Sequence, residues 1–440
     1  MNRGGSQVPR WLAERRTTNL GQSLLCRVRY QPHLAAIVCV LVATLAYGKV
    51  SVPRQASAPV ALPLHTDPLN LDPLVREGYG RFYILDYDGA IEYFEKVLKA
   101  HPQDPMAYGY LQMATVFREL YHQDLLDTTY YAHDSFLTSK RDVRVAPATR
   151  QRIESLTDTG IKLADDRIKA NPDDKDAYFA RGYLRGIHAA FITLVDHSFV
   201  SAARQGYASR GDSEQVLKID PDYVDAKMAI GIQQFAVASL PRFVRIMVGI
   251  VGVGGNKEKG LQLLREAAAH GTITSVESRT VESLFLRHDG RYPEALAVQH
   301  GLATEYPHNY LFRLEEANLT KDEGGGLAAI TRYKEVLADA ARPHYFIDPK
   351  LQLAYFGLAD TERGQNQVEA AADDYVRAGQ QPDSSDWLRK RAELNAGEMF
   401  DLLHERNRAI QYYDLASAST GDQSQADTAR KLLKTPYAGK

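Results

Sequence analysis

Two arginines and a tyrosine have the types and spacing that best fit a binding site. Tyr178, Arg181 and Arg185 follow one another at intervals of three and four residues, which places them on one face of a helix. Guanidinium groups bind carboxylates through paired hydrogen bonds, so this face suits an acidic or carboxylate-ended peptide. The alternative interpretation is a set of solvated arginines on an outer helix face.

A second candidate site lies in the aromatic-rich residues 108–136. Tyr108 and Tyr131 are its predicted binding residues, and an aromatic-lined groove for a peptide or glycan is one interpretation. Core packing between two long helices is the other, because aromatic residues at helical spacing usually face a core. A buried polar cluster in this segment would favour an enzyme or a ligand-binding protein, and its members would be His122, Asp127 and His133.

The sequence contains no motif that indicates catalysis or metal binding. Residues 252–260 (GVGGNKEKG) lack the Gly-Lys-Ser/Thr ending of a phosphate-binding loop and predict a tight turn instead. The histidines have no HExxH spacing, no GxSxG nucleophile motif occurs, and no cysteine follows Cys39. We therefore predict a non-catalytic protein with no cofactor and no metal.

A recurring spacing indicates the helices that position these residues. A small residue is followed by a second one twelve positions later, then by an apolar residue four positions on and another after three more. Small side chains allow paired helices to approach, and the larger ones fill the groove between them. Four segments fit, with a polar exception at Gln299: Gly78–Ala90–Phe94–Val97, Ser283–Ala295–Gln299–Leu302, Ala317–Ala329–Tyr333–Val336 and Gly397–Ala409–Tyr413–Ala416.

These offsets, and the 34-residue separation of Ser283 and Ala317, resemble the tetratricopeptide repeat (TPR), a helix–turn–helix unit. The resemblance implies an all-α, TPR-like solenoid over residues 74–433, whose first helices line a concave groove that holds peptides. It implies an adaptor, and with the N-terminal segment it resembles exported or membrane-anchored bacterial TPR proteins. The predicted elements include helices at 106–121, 124–137 and 148–170, three repeats within 275–342, and a capping helix at 424–433.

The N-terminal segment resembles an export or anchoring signal. Residues 34–47 (LAAIVCVLVATLAY) carry no charge, follow six arginines and precede a Pro-rich stretch. Fourteen residues are short for a membrane-spanning helix, which needs about 17–25, and an extension to Val52 includes Lys49. We predict a basic cytoplasmic leader at 1–33, an uncleaved signal anchor or a cleaved signal peptide (an N-terminal hydrophobic helix) at 34–52, and a Pro-rich tether at 53–73.

The charge distribution separates the N-terminal segment from the rest of the chain. Residues 1–60 have eight basic residues and one acidic residue, which leaves 45 Lys and Arg against 54 Asp and Glu in the remainder. A mildly acidic body argues against nucleic acid as a partner, since nucleic-acid binding needs a basic stripe. A body without cysteine also avoids mispairing of thiols in an oxidising compartment.

These observations predict a non-catalytic TPR scaffold that binds protein partners in the cell envelope, with assembly or secretion as candidate roles. The membrane contact would be made by the N-terminal segment. The chain would be anchored in the inner membrane with its body in the periplasm, or exported if the signal is cleaved. The alternative is a helical-toroid enzyme or ligand-binding protein with a pocket near residues 108–133. Nothing in the sequence indicates an oligomeric state.

Overall fold

The structure, a computed structural model, describes residues 64–131, 143–240, 254–418 and 423–439. These residues form seventeen α-helices, and no β-strand occurs among them. The prediction of an all-α helical-repeat fold is therefore confirmed for this part of the chain. The predicted leader, the hydrophobic segment at 34–52 and the tether up to residue 63 lie outside the described residues.

The helices pack as eight consecutive pairs followed by a capping helix, and each pair also contacts the next one. The pairs are α1 Pro73–Phe82 with α2 Tyr87–Ala100, α3 Pro105–His122 with α4 Pro147–Ala170, α5 Lys175–Leu194 with α6 Phe199–Ile219, α7 Lys227–Ser239 with α8 Lys257–His270, α9 Ser275–His288 with α10 Tyr292–Glu305, α11 Tyr310–Asp322 with α12 Gly326–Ala340, α13 Leu351–Gly364 with α14 Val368–Gln380, and α15 Asp386–Leu402 with α16 Arg406–Ser417; the cap is α17 Gln423–Lys434.

The positions of the recurring spacing lie at the crossings inside the pairs. Ala90, Phe94 and Val97 on α2 are buried, and Gly78 on α1 faces the ring of Phe94. Ala329 and Ala409 are fully buried at the corresponding positions of later pairs. The predicted register is thus confirmed, because a small residue is found where two helices come closest.

Aspartates begin several of these helices. Asp72, Asp86, Asp104 and Asp174 each cap a helix by accepting a hydrogen bond from a backbone N–H of its first turn. Such a side chain satisfies one of the N–H groups that have no partner inside the helix. Asp174 follows the Asn-Pro step of the sequence KANPDDKDAY, where the sequence predicts a cap.

Two predictions about the helices are wrong. The predicted helix at 124–137 is absent over its described part, where Asp124 has a φ of +55° and a short 3-10 helix covers Thr128–Tyr131. The carboxylate of Asp124 accepts hydrogen bonds from Gln352 and from the backbone of Ser385, so distant contacts determine this segment. The region 275–342 holds two helix pairs, not three repeats.

The packed body begins inside the segment that the sequence predicts as a tether. Thr66, Asp67 and Asn70 are buried. The backbone N–H of Asp67 donates to the hydroxyl of Tyr223 at 3.0 Å, and the Tyr110 hydroxyl donates to Asn70 at 2.5 Å. These hydrogen bonds hold the residues before α1 against α3 and the turn that precedes α7.

None of the helices that the structure describes is long and apolar enough to cross a membrane.

Candidate functional site

The stack of helices curls until its first pair touches the fifth and sixth pairs. The hydroxyl of Tyr83, just after α1, donates to Oε1 of Glu277 on α9 at 2.8 Å. The side-chain amide of Asn309 donates to the backbone carbonyl of Tyr83 at 2.8 Å, and the rings of Tyr83 and Tyr306 lie 5.3 Å apart. The end of α1 therefore lies on the inner side of the later repeats.

A buried arginine fixes the segment after α3 to the same inner face. Arg287 on α9 is only 1% exposed and forms ion pairs with Glu315 at 3.1 Å and Asp322 at 2.6 Å. Its Nη1 also donates to the hydroxyl of Thr128 at 2.7 Å. Burial by itself would lower the pKa of Arg287, but the two carboxylates outweigh that effect and raise it.

A cavity of about 190 Å³ remains between α1, α3, residues 126–128, α9 and α11, and we call it the central cavity. Most of its wall is apolar, with contributions from Phe82, Phe117, Leu126, Val281, Leu284 and Leu311. The polar groups of its wall include Asp127, Glu277, Gln299, Asn309, Glu315 and Asn318. An apolar pocket with a few convergent polar groups is the usual form of a small-ligand site.

Glu277 lines this wall without an ion pair among the described residues. Its Oε1 accepts the Tyr83 hydroxyl, and its buried Oε2 has no hydrogen-bond partner among the described residues. Burial raises the pKa of Glu277 to about 7. Its own backbone N–H, the Tyr83 hydroxyl and the charge of Arg279 oppose the rise, and the charge of Asp225 adds to it. The carboxyl group is thus poised between its neutral and charged forms near neutral pH.

The second buried glutamate of the wall has a different environment. Burial also raises the pKa of Glu315, but the Arg287 guanidinium at 3.1 Å opposes that rise. The side chain of Asn318 donates a further hydrogen bond to Glu315 Oε2 at 3.1 Å. Glu315 is therefore committed to the buried ion pair. The third acid of the wall, Asp127, accepts the backbone N–H of Thr129 at 3.0 Å and interacts with the charge of Arg287. Glu277 lies outside this network and is the acid that we consider for a ligand.

The first predicted site lies on α5, and its arginines pair with carboxylates of the chain. Nη2 of Arg181 is 2.5 Å from Asp212 Oδ1, and Nη1 of Arg185 is 2.6 Å from Asp212 Oδ2. The guanidinium of Arg181 also lies 5.2 Å from the centre of the Tyr178 ring. The three residues are brought together as predicted, but Asp212 on α6 occupies the carboxylate position that a peptide would take. Their binding of a partner stays a prediction.

The second predicted site is divided by the structure. The Tyr108 hydroxyl donates to the carbonyl of Pro102 at 3.1 Å, and this tyrosine does not line the central cavity. Asp127 does line it, whereas His122 is exposed at the end of α3. The side chain of Tyr131, and the whole of His133, lie outside the described residues.

Within the part of the chain that the structure describes, one cluster has donor atoms close enough to hold a metal ion. One ligand atom each from His65, Asp220 and Asp222 lies within 4.8 Å of the others. The ammonium of Lys175, however, is 2.6 Å from Asp220 and already neutralises that carboxylate. These contacts give the cluster a structural role, because they hold His65 to the turn that precedes α7.

The principal residues of the central cavity were not among the sequence-based candidates. Glu277 lies in the first turn of α9, where an acidic residue is common because it favours the positive end of the helix dipole. Tyr83 follows the aromatic positions of α1 and looks like an ordinary core residue. No local sequence pattern identifies either residue as part of a site, because the two come into contact from positions 194 residues apart in the chain.

The eight helix pairs, with small residues at their crossings, define the class of this chain as a TPR-like helical-repeat protein. No family model and no curated protein sequence matches it.

Solved structures of three proteins show a similar arrangement. Yeast Tom70 is 10% identical, with 82% of this chain and 87% of that chain covered and a TM-score of 0.38. A tetratricopeptide repeat protein from Parabacteroides merdae is 13% identical, covering 73% and 97%, with a TM-score of 0.33. Human IFIT1, solved as a dimer with PPP-AAAA, is 12% identical, covering 84% and 83%, with a TM-score of 0.41.

Proposed function

We propose that this protein is a non-catalytic helical-repeat scaffold that binds protein partners. The observation that supports the proposal is that the described helices from α1 to α16 pack as successive pairs, each in contact with the next. Stacked repeats expose long continuous surfaces, and a partner is recognised by shape and charge over several repeats. The polar groups at the predicted α5 site and at Arg287 are engaged in ion pairs within the chain.

We further propose that the partner approaches a surface other than the inner face of α9 and α11. Tyr83 and Thr128 occupy that face through their bonds to Glu277 and Arg287. An extended peptide in the groove that the TPR resemblance implies would have to displace these residues. The remaining outer surfaces of the pairs need no such displacement.

The location proposed for this function is the cell envelope, with the body held outside the cytoplasm by residues 34–52 or released there after cleavage. The support is the uncharged run at 34–47, its six preceding arginines and the absence of cysteine after Cys39. Assembly or secretion are the processes that such a tethered adaptor would serve.

We propose a protein and not a nucleic acid as the partner, because acidic residues outnumber basic ones by nine after residue 60. Human IFIT1 was solved as a dimer with PPP-AAAA, and RNA binding by this chain is therefore tested directly. Fluorescence anisotropy with labelled single-stranded RNA at low salt should show no saturable binding. Saturable binding that weakens steeply with added salt would contradict the choice of a protein partner.

The proposed scaffold function is tested by crosslinking in intact cells with the full chain. A partner that crosslinks is then purified and its affinity for the purified full chain measured by calorimetry. We expect saturable binding with a defined stoichiometry, and we expect that deletion of residues 1–52 abolishes crosslinking in cells but leaves the affinity of the purified proteins unchanged. If none of the recovered proteins binds the purified full chain, the scaffold function is contradicted.

A further inference from the structure

We propose that the central cavity binds a small aromatic or alkyl ammonium compound, with the ammonium group beside the carboxyl group of Glu277. This inference is independent of the scaffold function, because it concerns an internal cavity and not an outer surface.

The size of the central cavity sets the size of the ligand. A cavity of about 150 Å³ lined by aliphatic and aromatic side chains holds one benzene molecule in another protein. The central cavity has about 190 Å³ and a wall of the same kind. It therefore accepts one six-membered ring with a short substituent, or an alkyl chain of similar volume.

The unpaired oxygen of Glu277 sets the charge of the ligand. A buried polar atom without a partner costs free energy, and a buried carboxylate without a cation costs more. The nearest cation on the same helix, Arg279, is already paired with Glu305 at 2.6 Å. An ammonium group beside this carboxyl group would supply a further hydrogen-bond donor and a positive charge.

The groups that face Glu277 come from several elements and favour a cation over an anion. Tyr83 after α1, Tyr183 on α5 and Asp225 before α7 are near it, and Arg279 follows two residues later on α9. The tyrosines are neutral because burial raises the pKa of Tyr83 and Tyr183 above the ordinary value. Asp225 adds negative potential, although hydrogen bonds from Thr274 and Ile273 hold its carboxylate.

The proposal predicts a proton exchange on binding. Glu277, with a pKa raised by burial to about 7, is partly protonated in the free protein at neutral pH. An ammonium group in contact lowers that pKa, so ligand binding releases a fraction of a proton to the buffer. This readout separates binding at Glu277 from non-specific apolar binding, which releases none.

The test uses three probes of equal size with the full chain: benzylamine, benzyl alcohol and benzoate. Isothermal titration calorimetry at pH 7 is run in two buffers with different enthalpies of ionisation. We expect benzylamine to bind at least about tenfold more tightly than benzyl alcohol, with proton release, and benzoate to bind most weakly. Failure of benzylamine to bind, or equal affinity for benzylamine and benzyl alcohol, would overturn the proposal.

Two variants locate the binding. Glu277→Gln keeps the shape of the side chain and should remove the preference for benzylamine and the proton release, while the affinity for benzyl alcohol stays unchanged. Leu284→Phe fills part of the cavity wall and should weaken both probes together. Glu335→Gln, on an exposed position of α12, is the matched control and should change nothing. A preference for benzylamine that persists in Glu277→Gln would overturn the assignment of Glu277.

A lysine side chain of a protein partner carries the same ammonium group, and a fourth probe distinguishes it. A blocked Gly-Lys-Gly peptide should bind more weakly than benzylamine, because its backbone does not fit a cavity of about 190 Å³. Tighter binding of the peptide would overturn the choice of a small compound as the ligand.

Discussion

The ring of Phe94 occupies the space that any side chain at Gly78 would need. A Cβ atom built on Gly78 would lie 2.8 Å from Cζ and 2.9 Å from Cδ1 of that ring. Gly78 belongs to α1 and Phe94 to α2, so this contact sets the distance between the two helices of the first pair. The same relationship recurs between Gly397 and Tyr413 in the eighth pair, where the built Cβ would lie 2.5 Å from Cε1 of the tyrosine.

Substitution of Gly78 should therefore destabilise the protein. Gly78→Ala forces the Phe94 ring or the α1 backbone to move, and we expect the free energy of unfolding to fall by about 1–3 kcal/mol. Gly80→Ala is the matched control two positions along the same helix, where a Cβ would meet nothing within 4 Å. It should be neutral or stabilise by up to about 1 kcal/mol. Urea denaturation of both variants checks the difference, and equal effects would contradict the close crossing.

The alanines of the second helices give a parallel test. Ala329 on α12 is fully buried, and Ala329→Leu should overpack the crossing and lower the free energy of unfolding by about 1–3 kcal/mol. Ala328→Leu, on the exposed side of the same helix, should leave it nearly unchanged. The corresponding change at the other buried position, Ala409→Leu, should resemble Ala329→Leu. Melting temperatures that do not distinguish Ala329 from Ala328 would show that the helix register is wrong.

The buried ion pairs of Arg287 predict a larger effect. Arg287→Met leaves Glu315 and Asp322 without their cation and breaks the hydrogen bond to Thr128. Loss of one partner of a buried pair costs about 3–5 kcal/mol, so the melting temperature should fall strongly. In contrast, Arg430→Met removes an exposed pair with Asp427 on the capping helix and should cost about 1 kcal/mol or less. A small effect at Arg287 would mean that residues 126–128 are not fixed by this network.

A pair of carboxyl groups between α13 and α14 predicts a dependence of stability on pH. Glu362 is 1% exposed, and both of its carboxylate oxygens are buried. Burial, followed by the nearby charge of Asp374, raises the pKa of Glu362 to about 7, and Lys334 at 3.4 Å only partly opposes the rise. A hydrogen bond between these two carboxyl groups requires a proton on one of them, so the folded state retains that proton at a pH where the unfolded chain has lost it.

The sign of this dependence follows from proton binding. Between about pH 4.5 and pH 7 the folded state binds more protons at Glu362 than the unfolded state, so the free energy of unfolding falls as the pH rises through that range. Glu362→Gln removes this fall and should stabilise the protein by roughly 1–2 kcal/mol at pH 8 relative to its effect at pH 4.5. Urea denaturation at the two pH values measures the difference. Glu335→Gln on α12, an exposed position, should show no such difference, and a pH-independent effect of Glu362→Gln would refute the shared proton.

The proposed topology has its own test. Alkaline phosphatase fused after residue 63 should be active in a bacterial host, because the six arginines before residue 34 keep the leader in the cytoplasm while residues 34–52 direct the rest outward. The same fusion without residues 34–47 should be inactive. An inactive, well-expressed parent fusion would place the body in the cytoplasm.

Local packing rules were readable in the sequence because the partners are close in the chain. Gly78 and Phe94 lie in adjacent helices, and Ala329 and Tyr333 lie in a single helix. The small and large side chains must be complementary in size where the paired helices cross. The same reasoning predicted the face of α5 that carries Tyr178, Arg181 and Arg185. It did not predict Asp212, because a carboxylate on α6 reaches both arginines only after the two helices are packed.

The curl of the stack was decided by tertiary structure alone. Small rotations between successive pairs accumulate over the repeats. They bring Tyr83 to Glu277 and Thr128 to Arg287 from positions 194 and 159 residues apart in the sequence. The helix predicted at 124–137 is absent over its described part for the same reason, because Gln352 and Ser385 hold Asp124 through hydrogen bonds. The sequence by itself determined the helix pairs and their register, because those depend on neighbours in the chain. The central cavity and the environment of the Glu277 carboxyl group depend on how successive pairs are rotated relative to one another. No short sequence pattern encodes that arrangement.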